Sequence, residues 1–355
     1  MRVIAVHLLN DFSGSPKVLR QLLNGWAKRN VELHLFTCSG REGFLSDLPS
    51  VICHFYWYKF AKNPLIRLIF LFSSQILLAV KLVFFLNKDD VLYINTVLPF
   101  GAALAGKIRG VKVIYHIHET SMKPLLFKRF LFGIVRCSAD DIVYVSEFLA
   151  NQEPLDVRKH IIHNVLEEEF IQKTSVSSNY SKHEKIVLMI CSLKAYKGVN
   201  EFLKLAEMNS GYVFKLIVNA SISEINDYFK NVEIPVNLLI YPTQINTHQF
   251  YDEAAMVLNL SDTKLWVETF GLTILEAMAY GLPTIVPPVG GVTELVDEGR
   301  NGFLIDSKNL SLLSATICRV LEDKELYNEM SKHAKDKSRD FNLDIFEQKS
   351  FNLLS

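Results

Sequence analysis

The chain has 355 residues, of which 49% are hydrophobic, so it can bury a large core and is not dominated by disorder. Lysine plus arginine and aspartate plus glutamate both number 38, which leaves no net charge and excludes the basic surplus of a nucleic-acid coat protein. At ~100–200 residues per domain, this length predicts about two domains.

The cysteine pattern predicts a reducing compartment. There are five cysteines, an odd number, and no two have C-x-x-C spacing. A disulfide framework and a cysteine zinc site are therefore both disfavoured, and we expect a cytoplasmic protein. The apolar run in the opening MRVIAVHLLNDF is too short for a secretory signal and predicts a buried first strand.

Short apolar runs alternate with amphipathic stretches along both halves, which is typical of βαβ units around a parallel sheet. The predicted strands of the first half are Val3–Leu9, Val31–Thr37, Val51–Phe55, Val91–Asn95, Val111–Ile117 and Asp141–Val145. Those of the second half are Ile186–Cys191, Phe214–Val218, Val236–Ile240, Met256–Leu260 and Pro283–Val286. Helices are predicted at Pro16–Arg29 and Phe100–Ile108, from Val199, from Leu272 and along most of the chain after Leu310.

A polar, serine-rich segment at 172–184 predicts a linker between two doubly wound α/β domains, residues 1–171 and 185–340. Ligands of such sheets bind beyond the carboxyl ends of the strands. With two such domains, we expect the ligand in the cleft between them.

Two regions combine apolar and basic residues. Residues 65–86 are long enough to span a membrane, but Arg67 and Lys81 inside them favour a domain helix, or a pair of helices, that touches lipid. Residues 121–136 and 57–62 have the composition of an anionic-membrane interface, although core packing with a solvated charged face explains them as well. The cations of 121–136 are Lys123, Lys128, Arg129 and Arg136. We expect peripheral binding at the inner face of the cytoplasmic membrane.

Several motifs are missing from the sequence. It has no G-x-G-x-x-G, Walker or H-E-x-x-H pattern, which argues against a nicotinamide enzyme, a P-loop kinase and a zincin. His116 and His118 alternate along one predicted strand, so they share a face by geometry alone. Without a further ligand cluster, no metal site is predicted.

The stretch ETFGLTILEAMAYGLP, which begins at Glu268, is the most informative part of the chain. Phe270, Gly271, Leu272 and Thr273 make a tight turn into a predicted helix, whose first N–H groups and positive dipole end suit a phosphate. Glu276 follows Glu268 by about 2.2 helical turns, so both carboxylates are expected on a similar side, where each can hold vicinal sugar hydroxyls. This combination predicts a nucleotide-sugar site, while ordinary surface glutamates remain an equally good interpretation at this point.

Together with 285–296 and 301–304, this stretch resembles the signature region of glycosyltransferase family 4, the retaining nucleotide-sugar transferases. The resemblance implies the GT-B fold: two Rossmann-like domains facing a central cleft, with the donor on the C-terminal one. It also implies that residues 341–355 form a helix that crosses back to the N-terminal domain. By the same resemblance, Glu276 grips the ribose, Glu268 lies by the donor-sugar hydroxyls and the backbone after Phe270–Gly271 meets the diphosphate.

A second donor element of the family is matched at 191–198. Lys197 corresponds to the lysine that neutralises the leaving diphosphate. Ser192 stands where the family has an arginine, and the two are not equivalent on phosphate. Two alternatives remain for the missing arginine. Either Lys194, which is close in sequence, supplies the positive charge, or Ser192 contributes a hydrogen bond and no charge.

The N-terminal half resembles the family at two further places. Gly14 lies in a Ser-Gly-Ser-Pro loop like the family's glycine-rich loop, with Ser15 predicted as the helix N-cap, although a plain strand-to-helix turn fits too. His118, followed by Glu119, resembles the histidine that contacts the donor sugar, with His116 behind it. Ser146, Glu147 and Asn164 follow the last strands as in the family.

The resemblance implies retaining transfer of a hexose-type sugar from a UDP-sugar, or alternatively GDP-mannose, to a glycan or lipid-linked glycan. The expected role is polysaccharide or lipopolysaccharide synthesis, of an O-antigen or a capsule. No metal or cofactor is expected, because helix N–H groups and Lys197 stabilise the leaving diphosphate. The alternatives are a 2-epimerase of the same fold, for which further acid/base carboxylates are needed, and a non-catalytic partner subunit, for which Ser192 is the main support.

Overall fold

The computed structural model describes residues 1–176 and 185–355, which form two compact units. Unit 1 comprises Met1–His163 and Asp344–Ser355, and unit 2 comprises Asn164–Leu343. The chain thus leaves unit 1 before the linker predicted at 172–184. Residues 172–176 of that segment continue a helix, and 177–184 lie outside the described residues. Phe170 explains the early boundary, because its ring is buried against His248 of unit 2, with 4.3 Å between the ring centroids.

Unit 1 is built on a seven-stranded parallel sheet in the order β3-β2-β1-β4-β5-β6-β7. The strands are β1 (Arg2–Val6), β2 (Glu32–Cys38), β3 (Ile52–Tyr56), β4 (Val91–Asn95), β5 (Lys112–Ile117), β6 (Asp141–Tyr144) and β7 (Arg158–Ile161). The helices are α1 (Gly14–Ala27), α2 (Pro64–Phe85), α3 (Phe100–Arg109), α4 (Leu125–Ser138) and α5 (Glu147–Gln152). Central strands such as β1 and β4 are buried on both faces, as their unbroken apolar sequences predict.

Two details of unit 1 differ from the sequence predictions. Ser15 is not the N-cap of α1: Gly14 is already helical and Ser13 is the N-cap residue. The Ser13 hydroxyl donates to Asp11 Oδ1, 2.5 Å away, instead of capping the helix. Strand β7 was not predicted, because it is a short edge strand whose sequence RKHI is basic and partly exposed.

Helix α2 is one continuous helix that packs on its neighbour. Asn63 caps it by accepting from the N–H groups of Leu65 and Ile66. A stripe of five residues is buried: Leu71, Ser74, Gln75, Leu78 and Leu82. Gly101 of α3 approaches so closely that a Cβ there would lie 2.0 Å from the Gln75 carbonyl oxygen. By length and composition α2 is also able to cross a membrane, although such a helix occurs in soluble cores as well.

Unit 2 contains a six-stranded parallel sheet in the order β10-β9-β8-β11-β12-β13. Its strands are β8 (Ile186–Ser192), β9 (Val213–Asn219), β10 (Leu238–Tyr241), β11 (Met256–Leu258), β12 (Thr284–Val286) and β13 (Gly302–Leu304). Its helices are α6 (Glu168–Val176), α7 (Val199–Met208), α8 (Ile222–Phe229), α9 (His248–Glu253), α10 (Leu272–Ala279), α11 (Leu310–Glu322) and α12 (Lys324–Ser338). Strand β13, at the edge of this sheet, was not predicted, because its sequence GFL is short and begins with a glycine, which is a poor strand residue.

The last helix, α13 (Leu343–Asn352), packs on α1 of unit 1. Glu347 Oε1 lies 3.1 Å from Lys28 Nζ, and the guanidinium of Arg29 stands over the Phe351 ring at 4.7 Å. The terminal segment of the chain is therefore part of the N-terminal unit.

Candidate functional site

At the carboxyl edge of the unit 2 sheet, Lys197 is paired with Glu268. The loop after β8 makes a short 3-10 turn and then passes through Gly198, which has φ +80°. A Cβ on Gly198 would lie 2.3 Å from the Leu260 carbonyl oxygen, so only glycine fits here. This turn brings Lys197 Nζ to 2.8 Å from Glu268 Oε2, with both side chains largely buried.

Glu268 is ionised despite its burial. Burial by itself raises the pKa of its carboxyl, but the Lys197 ammonium and hydrogen bonds from Lys197 and Asn259 outweigh that effect, and the pKa is lowered. The backbone of Glu268 is also fixed, because its carbonyl accepts from Gly291 N at 2.8 Å. The site thus holds a buried cation and a buried anion in contact.

Aromatic rings lie next to this ion pair. Lys197 Nζ is 5.2 Å from the centroid of the Trp266 ring, and Tyr196 stacks on Trp266 at 5.3 Å. Sequence reasoning missed Trp266, Tyr196 and Asn259, whose only signal was proximity along the chain to Lys197 or Glu268.

Helix α10 begins beside Glu268, with Gly271 at its N-cap in a left-handed conformation, φ +100°. Within the described chain no side chain caps this helix, so the N–H groups of Leu272 and Thr273 can serve a phosphate. Phe270 is buried and packs edge-on against Phe341. The predicted tight turn into the helix is therefore observed in the backbone.

Glu276 lies inside α10 and is 5% exposed. Tyr251 of α9 donates its hydroxyl to Glu276 Oε2 at 2.7 Å. Burial raises the pKa of Tyr251 well above its usual value, and the negative charge of Glu276 acts in the same direction. Tyr251 therefore remains a neutral donor that orients the carboxylate.

The count of helical turns between Glu268 and Glu276 does not apply to the whole interval, because helix α10 begins only at Leu272. Only Glu276 is in the helix, whereas Glu268 precedes Gly271, whose positive φ interrupts the helical path. The two carboxylates have different partners, Lys197 for Glu268 and Tyr251 for Glu276. Their different environments indicate different roles.

The serine that departs from the family pattern ends β8. Ser192 pairs in register with Asn219 of β9 and is half-buried. Lys194 is exposed, and its charge acts on Glu224, whose pKa is lowered chiefly by hydrogen bonds from Ser221 and slightly by Lys194. Lys194 thus lies within electrostatic reach of the start of α8.

In unit 1, polar residues converge at the carboxyl ends of β1, β4 and β5. Asn95 ends β4 and is fully buried. Its Oδ1 lies 2.9 Å from His118 Nε2, and its Nδ2 lies 3.0 Å from both His7 Nδ1 and the Ser15 carbonyl oxygen. The predicted site residue His118 is therefore connected through Asn95 to the first turn of α1, where Gly14 is exposed. Sequence reasoning did not single out His7 or Asn95, although both lie at or just beyond strand ends.

The histidines of this cluster are held neutral. Burial lowers the pKa of His118 well below its usual value, and the neighbouring His116 and His7 act in the same direction. His116 packs against His118 with ring centroids 4.2 Å apart, and burial lowers its pKa to about 3. Burial raises the pKa of Glu119 to about 7. In the described ranges, no group of three or more His, Cys, Asp or Glu side chains is arranged to hold a metal ion.

The structure also gives the positions of three further residues that were named from the sequence, Ser146, Glu147 and Asn164. Ser146 caps α5 by accepting from the Leu149 N–H, and Glu147, next to it, is exposed. Asn164 is buried at the first position of unit 2.

Two family models match the chain and together cover most of it. Residues 12–166 match Glycosyltransferase Family 4, and residues 170–337 match Glycosyl transferases group 1. The chain is an enzyme, a glycosyltransferase. Its two Rossmann-like units have the GT-B fold. It belongs to glycosyltransferase family 4.

Individual relatives are distant. The N-acetyl-alpha-D-glucosaminyl L-malate synthase of Bacillus anthracis is 26% identical over 94% of this chain and 91% of its own length. The structure of Anabaena HepE with UDP and glucose superimposes with a TM-score of 0.80 at 16% identity, covering 100% of this chain and 99% of that one. WaaG, a glycosyltransferase involved in lipopolysaccharide biosynthesis, superimposes with a TM-score of 0.74 at 12% identity, with both chains covered completely.

Proposed function

We propose that this protein transfers a hexose-type sugar from a UDP-sugar to a hydroxyl group, with retention of the anomeric configuration. The observation that carries the proposal is the buried Lys197–Glu268 pair beside the uncapped start of α10. Anabaena HepE, which has the same fold, has been crystallised with UDP-glucose, which favours UDP over GDP as the nucleotide. GDP-mannose is the second donor to test.

Each residue of the unit 2 site has a role in this proposal. The N–H groups of Leu272 and Thr273 and the ammonium of Lys197 bind the diphosphate, with Ser192 as a further hydrogen-bond donor. Glu276, oriented by Tyr251, accepts hydrogen bonds from the ribose, and Glu268 accepts from the donor sugar. Lys194 contributes long-range positive charge at the same edge.

The reaction breaks the bond between the anomeric carbon and the β-phosphate oxygen and forms one to the acceptor oxygen on the same face. The acceptor proton passes to the leaving phosphate, so atoms and charge balance. Negative charge grows on the diphosphate as the bond breaks, and Lys197 with the α10 N–H groups stabilises it more strongly than the ground state. These groups supply the electrostatic stabilisation without a metal ion or a cofactor.

For the acceptor we propose a glycan on a lipid carrier at an anionic membrane, in polysaccharide or lipopolysaccharide synthesis. Three neighbouring helices of unit 1, α2, α3 and α4, contain basic residues and no aspartate or glutamate. Their cations are Arg67, Lys81, Lys107, Arg109, Lys128, Arg129 and Arg136. Their large exposed apolar side chains are Leu65, Ile66, Leu68, Ile69, Ile76, Leu77, Val80, Phe84, Leu104, Ile108, Leu125, Leu126 and Phe130. This composition matches a peripheral protein on the cytoplasmic face of a membrane.

The three helices are in contact with one another. Phe72 of α2 lies 5.2 Å from Phe100 of α3 and 5.4 Å from Phe130 of α4, measured between ring centroids. Not every cation is available to lipid: Lys128 is paired with Glu153 and is mostly buried. Arg129 and Arg136 are exposed and are the better candidates.

We expect the protein to co-sediment with anionic vesicles but not with zwitterionic ones, and high salt should reduce this binding. Each cation near such a surface contributes on the order of 1 kcal/mol, so Arg129→Glu with Arg136→Glu should weaken binding by at least about tenfold. Lys324→Glu with Lys332→Glu changes the charge equally on α12 of unit 2 and should have little effect. Equal sedimentation of both double variants, or no binding at low salt, would contradict the membrane proposal.

Transfer itself is tested by incubating the protein with radiolabelled UDP-glucose, UDP-N-acetylglucosamine or GDP-mannose and a bacterial lipid extract. We expect label to enter the lipid phase with a UDP-sugar. L-malate is a separate acceptor arm, because the Bacillus anthracis relative is named for a malate product. If label appears on malate but not in the lipid phase, the proposal of a lipid-linked acceptor is overturned. If the nucleotide sugar is epimerised or left unchanged in every incubation, the proposal of glycosyl transfer is overturned.

A further inference from the structure

The Asn95 amide has a defined orientation. The Ser15 carbonyl oxygen can only accept a hydrogen bond, so the amide atom 3.0 Å from it is the donor, Nδ2. The opposite orientation would place two oxygens in contact. The other amide atom, Oδ1, therefore faces His118 Nε2 at 2.9 Å.

This orientation determines where His118 carries its proton. Oδ1 of an amide has no hydrogen, so the 2.9 Å contact is a hydrogen bond only if His118 Nε2 donates. In the neutral ring, the lone pair is then on Nδ1. The tautomer of His7 is not determined in this way. Its Nδ1 lies 3.0 Å from Asn95 Nδ2, for which it would have to accept, and 3.2 Å from the backbone carbonyl oxygen of Asn95, for which it would have to donate.

We propose that Asn95 is a positioning residue for glycosyl transfer, which holds His118 as the Nε2–H tautomer so that the ring meets a substrate hydroxyl as a hydrogen-bond acceptor at Nδ1. The inference rests on the proposed function, because it requires a sugar or acceptor hydroxyl at His118. It assigns a chemical preference to His118: Nδ1 favours a hydrogen-bond donor such as a substrate hydroxyl and disfavours an unprotonated phosphate oxygen.

The surroundings of His118 support this assignment. In the described residues, His116 and His7 both disfavour the imidazolium form of His118, and the neutral amide of Asn95 lies 2.9 Å from Nε2. The carboxyl of Glu119 instead faces the backbone, 3.3 Å from the His118 N–H. A neutral amide partner orients the ring without favouring the imidazolium, as a carboxylate partner would.

Asn95 also connects this histidine to the first turn of α1. The same amide that accepts from His118 donates to Ser15, the neighbour of Gly14. A change at Asn95 therefore affects both the ring and the first turn of α1, so the test needs a measurement that reports on the ring alone.

The test uses the full-length protein labelled with ¹⁵N-histidine, because long-range ¹H–¹⁵N spectra distinguish the two neutral tautomers and the imidazolium. His118→Gln identifies the His118 signals. At pH 7 we expect wild-type His118 to be neutral with the proton on Nε2. In Asn95→Leu, which has similar volume and no polar atom, that tautomer should lose its dominance and turnover should fall at least tenfold, with UDP affinity within twofold of wild type.

Tyr93→Phe is the matched control, because Tyr93 makes the corresponding buried hydrogen bond to His116 Nδ1, at 3.0 Å. It should alter the His116 signals while leaving the His118 tautomer and turnover near wild type. The wild-type spectrum tests the tautomer even if Asn95→Leu fails to fold. The inference would be overturned if wild-type His118 were protonated on Nδ1 or on both nitrogens. It would also be overturned if a folded Asn95→Leu variant kept full turnover. Absence of transfer by the wild-type protein would instead contradict the proposed function.

Discussion

Replacing Lys197 with alanine is expected to lower turnover by about 100- to 1,000-fold, the range seen when one donor to a developing oxyanion is removed. The ammonium is positioned against Glu268 at 2.8 Å and is largely buried, so water cannot replace it at full strength. Because the proposed role is to stabilise charge on the leaving diphosphate, the turnover number should change more than the Michaelis constant for the donor.

Steady-state transfer kinetics measure this effect, with circular dichroism to confirm the fold. Lys204→Ala is the matched control, since Lys204 is an exposed lysine on the helix that follows Lys197. Lys197→Arg keeps the charge and should keep more activity than Lys197→Ala. Turnover at the wild-type level in Lys197→Ala would show that this lysine only forms a structural ion pair.

The same substitution changes how stability depends on pH. The folded pKa of Glu268 is below the ordinary glutamate value of 4.5, so its pairing stabilises the fold above about pH 4.5 and this contribution is lost as the pH falls through the lowered pKa. In Lys197→Ala the burial remains while the ammonium is gone, so the pKa of Glu268 should rise. The difference in melting temperature between wild type and variant should therefore be larger at pH 7 than at pH 3.

Replacing Glu276 with alanine is expected to weaken UDP binding by about 1–3 kcal/mol, or roughly 5- to 150-fold, because a charge-assisted pair of hydrogen bonds is lost. Isothermal titration calorimetry with UDP measures it directly. Tyr251→Phe removes only the hydroxyl that orients Glu276 Oε2 and should have a smaller effect in the same direction.

Tyr280→Phe is the control for the aromatic cluster around Glu276. Tyr280 stacks on Tyr251, but its hydroxyl contacts His248 Nδ1 at 2.6 Å, so its loss should leave UDP affinity unchanged. The Tyr251 hydroxyl loses a partner in Glu276→Ala, so the melting temperature of each variant should be recorded as well. A folded Glu276→Ala with wild-type UDP affinity would remove Glu276 from the nucleotide site.

The sequence by itself determined the class of fold and the motif region. Short unbroken apolar runs rich in β-branched and aromatic residues are typical of central strands of a covered parallel sheet, and Val91–Asn95 was predicted with its observed bounds. The glycine at 271 and the apolar helix after it likewise determine a local turn, which the structure shows. Short edge strands such as Arg158–Ile161 escaped prediction because their pairing, rather than their own sequence, makes them strands.

The partners of the site residues were decided only by the tertiary structure. Asn95 lies 88 residues from His7 along the chain, and Lys197 lies 71 residues from Glu268. Such pairs meet because strand order and register place particular strand ends side by side, and no local pattern specifies either. The orientation of Glu276 by Tyr251 and of His118 by Asn95 also depends on tertiary structure, because in each pair one side-chain atom reaches another on a different element, 25 and 23 residues away in sequence.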